Sequence, residues 1–232
     1  MLMTGVSNHA AGLGTMKGIQ TPNQLGRVEY GAQLHNGVVT LAELLQANGY
    51  ATSMSGKWHI GLDKDQYPGE RGFKNSFGVL QGGASHFADG LPIHRSEDVT
   101  YLENGRPVTL PSDFYSTYGY TDKIIEYIGE SDKEPFFAYL AYTAPHDPLQ
   151  VPNDWLDRYR GAFDKGPAYA KSQRRKRLVE LGLIEEGVQL AEATNLPRWL
   201  DGHKKPWSER STKERAQDAR RMEIYAAMVE IV

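Results

Sequence analysis

Hydrophobic and polar positions along the chain twice change from helical spacing to strand spacing. The first helix is predicted to begin at Thr40, which can form a capping box with Glu43, and to end at Gly49. Its apolar stripe consists of Leu41, Leu44 and Leu45. Residues 50–55 then form a short strand, and residues 56–61 form the loop that leaves it.

The second such change lies between residues 120 and 143. Helical spacing over residues 120–128 places three isoleucines on one side, namely Ile124, Ile125 and Ile128. Residues 136–143 are nearly all apolar and lie between prolines, which is typical of a strand buried on both faces, as in a parallel sheet. Two helix–strand pairs predict an α/β fold with helical crossovers.

The rest of the chain has weaker patterns. Residues 1–39 are predicted to be loop-rich, and residues 99–110 suit a hairpin that turns at Asn104 and Gly105. Residues 165–232 are predicted to be helical and polar. Residues 165–221 hold fourteen Lys and Arg against eight Asp and Glu. This basic excess could bind an anionic partner, but we favour solvated helices, because charge runs usually form solvated helix faces.

Composition narrows the function further. The 232 residues carry a net charge of −3, which disfavours a nucleic-acid-coating role. The sequence has no apolar run long enough to predict a membrane span. The absence of cysteine excludes a disulfide scaffold and a thiolate metal site within these residues. The start lacks the features of a signal peptide, and the end has a helical pattern without a stop signal, so we expect an internal piece of a larger domain.

Two candidate clusters follow predicted strands, at the sheet edge where α/β proteins bind ligands. Lys57 and His59 would share one side of an extended segment, and His146 lies in the next such loop. An ammonium group and imidazoles suit a tetrahedral anion, although a surface lysine and a structural histidine explain the same spacing. Ser85 belongs to a glycine-rich loop, residues 82–86, whose amides either approach an oxyanion or form a simple turn. Trp58 is predicted to pack, and the other histidines to be surface or packing residues: His9, His35, His94 and His203.

Residues 40–61, TLAELLQANGYATSMSGKWHIG, resemble the second signature of the type I sulfatases. Three further segments resemble the same family: 68–73, which follows that signature, 134–149, the strand and loop with a sulfate-binding histidine, and 223–230, a helix before the last metal-binding strand. The resemblance is nearest to bacterial arylsulfatases and spans almost the whole chain. It implies an alkaline-phosphatase-like fold with a mixed, mostly parallel sheet and flanking helices, and residues 1–232 as a partial, incomplete catalytic domain.

Type I sulfatases hydrolyse sulfate esters with a formylglycine and a divalent cation, usually calcium. By this resemblance, Lys57 would bind the formylglycine hydrate and the sulfate, and His59 would hydrogen-bond the hydrate and help the sulfated intermediate collapse. His146 would contact the sulfate and act as general acid to the leaving alcohol, and Ser85 would contact the sulfate. The implied partner is a small-molecule sulfate ester, with no nucleic acid and no membrane.

Two parts of the family's machinery have no match in the sequence. The Cys/Ser-x-Pro-x-Arg motif that yields formylglycine and the aspartate and asparagine metal ligands are absent, so we expect no metal ligand and no turnover from these 232 residues alone. Two alternatives stay open, a phosphonate or phosphate-ester hydrolase of the same superfamily and a non-catalytic truncated remnant. The sequence leaves open the oligomeric state and a cytoplasmic or periplasmic location.

Overall fold

The computed structural model describes residues 1–93, 98–131, 133–189 and 205–232, which divide into two compact units. The first unit comprises Met1–Gln150 with Ile231–Val232, and the second comprises Val151–Glu230. The first unit holds a five-stranded sheet. Its strands are β1 (Ala51–Lys57), β2 (Asn75–Val79), β3 (Tyr101–Glu103), β4 (Arg106–Pro107) and β5 (Phe136–Ala141).

The sheet is mixed, in the order β4-β3-β2-β1-β5. Strand β1 pairs in parallel with β2 on one side and with β5 on the other, whereas β2–β3 and β3–β4 are antiparallel. The predicted hairpin is confirmed, since β3 and β4 are joined by Asn104 (φ 49°) and Gly105 (φ 76°), both left-handed as such turns require. The α/β fold with parallel strands and flanking helices is confirmed.

Helix α1 (Leu41–Ala47) has the predicted capping box, in which Thr40 Oγ1 accepts from the Glu43 amide at 3.0 Å and Glu43 Oε2 accepts from the Thr40 amide at 2.6 Å. The prediction that the apolar stripe forms the packed face of α1 is wrong, because Leu41 and Leu44 are exposed. The helix instead buries the small side chain of Ala42, which joins a core cluster with Met54, Trp58, Phe73, Leu80 and Leu102. A methyl group at the contact lets the helix lie close to β1.

Helix α2 (Ser116–Gly129) begins four residues before the predicted position. Ile125 is exposed rather than packed, and the buried side of the helix is aromatic, with Tyr120 and Tyr127 flanking Ile124. These tyrosines join a second cluster with Phe77, Val79, Ala84, Tyr101 and Phe114. Tyr101 and Leu102 are successive residues of β3 that belong to different clusters, so the two clusters lie on opposite faces of the sheet.

Strand β5 is confirmed as a parallel strand, but its predicted burial on both faces is wrong. It is the last strand of the sheet, with Phe136 51% exposed and the other five residues only partly buried. A run of apolar residues indicates that a strand can pack on both faces, but it does not give the position of the strand in the sheet. Within the described residues, no strand pairs with the outer edge of β5.

The second unit is helical and polar, as predicted, with α3 (Gly166–Glu180) and α4 (Thr212–Glu230). Its small core includes Ala219, Ala227 and Met228, and the nearly buried Glu223 accepts from the Gly161 amide at 2.7 Å and from Arg220 at 3.0 Å. Several basic side chains pair with carboxylates of their own helix, among them Arg177 with Glu180. These pairs are typical of solvated helices, and an anionic partner for this segment has no support here.

No helix in the described part of the chain combines the length and the apolar character needed to cross a membrane.

Candidate active site

The three parallel strands end at one edge of the sheet, and the candidate residues follow them. Gly56 of β1 is in register with Gly78 of β2 and with Ala141 of β5. A Cβ atom at Gly56 would overlap with the carbonyl of Ala141, and one at Gly78 would overlap with the carbonyl of Gly56. This row of small residues therefore brings the three strand ends together, and the loops that leave them start side by side.

Lys57 is the last residue of β1 and is half-buried. Burial removes water from the ammonium group, so the pKa of Lys57 lies below its ordinary value. No carboxylate in the described ranges pairs with its Nζ atom. A partly desolvated cation without an internal anion can gain by binding an anion from solution.

His59 follows β1 by two residues, and the extended segment predicted there is wrong at His59, whose φ is 53°. The left-handed turn is held by its backbone amide, which donates to the Leu80 carbonyl at 3.0 Å. Left-handed backbone is strained for a residue other than glycine and is often kept at functional positions. The exposed imidazole lies against Gly82, in the loop after β2.

Gly82 makes room for the His59 ring, since a Cβ atom at residue 82 would lie 2.7 Å from Cε1 and 2.8 Å from Nε2 of His59. The backbone of Gly82 is outside the left-handed region, so Gly82→Ala adds only this overlap. The ring is the movable partner, so we expect little loss of stability but a displaced imidazole. In a longer enzyme of the kind that the resemblance implies, we expect Gly82→Ala to lower kcat/KM for an aryl sulfate by roughly 10- to 100-fold.

Gly129→Ala is the matched control, because a Cβ atom at Gly129 meets nothing within 4 Å and its backbone also lies outside the left-handed region. This variant should keep kcat/KM, and its thermal midpoint should not fall, since alanine is favoured over glycine at this helical position. A Gly82→Ala enzyme with unchanged kcat/KM would show that the contact with Gly82 does not place His59.

His146 is exposed in the loop after β5, and its amide donates to the Thr143 carbonyl at 3.0 Å. Its Nδ1 atom lies 2.9 Å from the carbonyl oxygen of Asp147. A carbonyl can only accept, so Nδ1 carries a proton in this arrangement and Nε2 is the other ring nitrogen. A proton can leave from Nε2 only when the ring is the doubly protonated imidazolium.

Ser85 lies in the loop after β2 but is buried. Its hydroxyl oxygen is 2.9 Å from Asp89 Oδ2 and 3.1 Å from Gln150 Oε1, both of which can accept its single proton. The amides of Ser85 and His86 donate to Leu91 O and to Gln150 Oε1, so the loop does not offer them to an oxyanion. The contact of Ser85 with sulfate stays a prediction, and it would compete with these internal bonds.

The remaining histidines match their predictions where the structure describes them. His9 and His35 are exposed, whereas His94 and His203 lie outside the described residues. Trp58 packs, as predicted, at 5% exposure, and its Nε1 atom donates to the Gln66 carbonyl at 2.9 Å.

Sequence patterns indicated the loop 82–86 but not the contacts that Gly82 and His86 make within it, and they did not indicate Gln150. His86 stands next to Ser85 and is fully buried, which a polar loop gave no reason to expect. Gln150 has no sequence signal at all, because its role depends on the return of the chain to the loop after β2.

The metal and the formylglycine of the sulfatase family do not fit the residues present. No cluster of three or more His, Asp or Glu in the described ranges could hold a metal ion, and the sequence has no cysteine.

A cavity of about 350 Å³ opens beside His59 and Gly82. Its wall combines apolar residues with charged and amide side chains, among them Lys17, Gln20, Gln33, Asp63 and Gln81. A cavity of this size and mixed lining is suited to a small organic molecule.

Comparisons with known proteins identify the family of the chain. The family model described as Sulfatase matches residues 1–226. An uncharacterized sulfatase of Schizosaccharomyces pombe is 41% identical over 100% of this chain and 43% of its own length. The arylsulfatase of Klebsiella aerogenes is 38% identical over 99% of this chain and 48% of its own. The chain thus spans about half the length of the curated relatives it matches.

Solved structures give the same fold. Ps i-CgsB in complex with k-i-k-neocarrahexaose is 27% identical with a TM-score of 0.58, covering 77% of this chain and 42% of that one. A protein in complex with its substrate D-glucosamine-2-N,6-O-disulfate has a TM-score of 0.59 over 100% of this chain and 48% of its own, at 18% identity, a likeness of fold alone. With matching motifs, sheet and family model, the chain belongs to the sulfatase family.

Proposed function

We propose that this chain supplies the anion-binding part of a sulfatase catalytic domain, within an enzyme of its relatives' length that hydrolyses sulfate esters. That enzyme is called the full-length enzyme below. The observation that supports the proposal most directly is Lys57, a half-buried cation at the end of β1 without a carboxylate partner in the described residues. The sulfatase family is generally dependent on a metal and on formylglycine, and segments outside these residues would supply both.

In this proposal each of three side chains has a separate task. Lys57 neutralises charge on the bound sulfate group, and its low exposure strengthens that attraction. His59, held by its left-handed backbone and by Gly82, donates a hydrogen bond at the same edge of the sheet. His146, as imidazolium with Nδ1–H bonded to Asp147, gives the Nε2 proton to the departing alcohol oxygen. Convergence of the three tips on one anion is part of the proposal.

The proposed substrate is a small-molecule sulfate ester whose organic group enters the cavity beside His59. The amide and charged side chains of that wall can hydrogen-bond hydroxyl groups, while its apolar residues can contact a ring. The complex of the similar Ps i-CgsB with k-i-k-neocarrahexaose supports a site open to an organic group larger than phenol.

Lys57→Met tests the central role of Lys57 in the full-length enzyme. Methionine keeps the length of the side chain and removes the charge, so kcat/KM for an aryl sulfate should fall by roughly 100-fold or more. Because folding lowers the pKa of Lys57, its charged form opposes folding at neutral pH, and the thermal midpoint should rise. Activity is measured by initial rates and stability by thermal unfolding.

The matched control is Lys74→Met, since Lys74 is exposed and precedes β2 at the opposite end of the strand. This variant should change neither quantity.

Competitive inhibition by inorganic sulfate should weaken as the pH rises through the lowered pKa of Lys57, where the ammonium group becomes neutral. Undiminished inhibition in Lys57→Met would contradict an anion site at Lys57.

A further inference from the structure

His86 is fully buried, and its backbone amide, its backbone carbonyl and both ring nitrogens form hydrogen bonds. Its amide donates to Gln150 Oε1 at 2.8 Å, and its carbonyl accepts from the Ser116 amide at 2.8 Å. In the ring, Nδ1 is 2.8 Å from Ser116 Oγ and Nε2 is 3.1 Å from the carbonyl oxygen of His146. The residue thus ties the start of α2 to the loop that carries the proposed general acid.

The partners of the ring determine where its protons lie. The His146 carbonyl can only accept, so Nε2 must carry a proton. In the neutral ring Nδ1 then has a free lone pair, and the hydroxyl of Ser116 donates to it. Ser116 is itself buried and lies at the first turn of α2, so this donor is fixed by the helix.

The surroundings favour this neutral form. Burial lowers the pKa of His86 as the largest effect, and a charge on the nearby His146 ring lowers it further, while the bond to the His146 backbone acts in the opposite direction. A neutral His86 avoids repulsion with the His146 imidazolium, which is the form that donates a proton.

We propose that His86 is a positioning residue, whose Nε2–H holds the backbone of His146 and so fixes where the His146 imidazole meets the sulfate ester. The inference rests on the proposed function of His146. A second bond supports the same loop, since the hydroxyl groups of Tyr120 and Thr143 are 3.4 Å apart. This bond holds the start of the loop, whereas His86 contacts the residue that reacts.

Two amide substitutions in the full-length enzyme separate the two ring bonds. The side-chain nitrogen of Gln reaches about as far as Nε2, so His86→Gln can keep the bond to the His146 carbonyl. The shorter His86→Asn reaches only the position of Nδ1 and loses that bond. We expect kcat for phenyl sulfate to fall by about tenfold or more in His86→Asn and by about threefold or less in His86→Gln.

The leaving group distinguishes positioning from general damage. On 4-nitrophenyl sulfate, whose departing oxygen needs less help from a proton, His86→Asn should lose less than on phenyl sulfate. Equal losses on both esters, or equal losses in the two variants, would overturn the positioning role. If His146→Ala itself showed no dependence on the leaving group, the general-acid role of His146 in the proposed function would fail instead.

The positions of the His86 ring protons can also be measured in the full-length enzyme without any substitution. In ¹⁵N NMR of histidine-labelled protein, His86 should show one protonated nitrogen, Nε2, and one unprotonated nitrogen, Nδ1, across neutral pH. A His86 ring with the proton on Nδ1, or with both nitrogens protonated, would contradict the bond to the His146 carbonyl and overturn the inference.

Discussion

Turnover of a sulfate ester with a poor leaving group is expected to fall by about 10²–10⁴-fold when His146 is replaced by alanine in the full-length enzyme. The alcohol oxygen leaves with negative charge unless a proton reaches it. The exposed His146 ring holds Nδ1–H on the Asp147 carbonyl, which leaves Nε2 as the nitrogen that we propose supplies that proton. The measurement is kcat for a series of aryl sulfates whose phenols differ in acidity.

The slope of log kcat against leaving-group acidity decides the role of His146. The slope should become steeper in His146→Ala, because weakly acidic phenols depend most on protonation. His9→Ala is the matched control, since His9 is exposed and its ring contacts Tyr30 rather than the sheet edge. An equal loss on every ester would assign His146 to sulfate binding and not to protonation.

The 232 residues alone are expected to give no turnover of a chromogenic aryl sulfate, even with calcium present. The sequence offers neither a cysteine nor a serine in a Ser-x-Pro-x-Arg context, so no formylglycine can form within it. Lys57, His59 and His146 can attract a sulfate ester, but attraction without a nucleophile does not break its bond. Turnover is measured by release of 4-nitrophenol over hours at high protein concentration.

The same preparation should self-associate, because the outer edge of β5 is apolar and has no partner strand among the described residues. Size-exclusion chromatography over a range of concentrations measures this.

The Lys57→Met variant of the same chain controls for contaminating sulfatase. Turnover that disappears in this variant would contradict the interpretation of these residues as an incomplete catalytic domain.

Local sequence rules predicted the main helices, β1, the β3–β4 hairpin and β5, but neither β2 nor the buried side of each element. The capping box at Thr40 and the turn at Asn104 depend on neighbours a few residues away, and both are confirmed. The packing of Leu41 and Ile125 depends on elements that are distant in sequence, and both are exposed. Apolar character alone could not decide between a central and an edge position for β5, since the order of strands is a property of the whole sheet.

The candidate site shows the same division between local and distant effects. Lys57, His59 and His146 could be selected from the sequence because each follows a predicted strand and matches a family motif. The left-handed backbone of His59 could not, because the bond from its amide to the Leu80 carbonyl joins residues that are distant along the chain. The contacts of His86, in the loop 82–86, could not be predicted for a related reason, since its partners Ser116 and His146 are 30 and 60 residues away.

The row formed by Gly56, Gly78 and Ala141 has a consequence for how such an enzyme can evolve or be redesigned. Substitutions at the two glycines would force the strands apart, so the sheet edge must stay nearly constant in sequence. The cavity wall that would meet the organic group comes largely from the irregular segments 13–20 and 31–33. New substrate preferences can therefore arise by exchanging these loop residues without any change at the sheet edge, where we propose that the sulfate group binds.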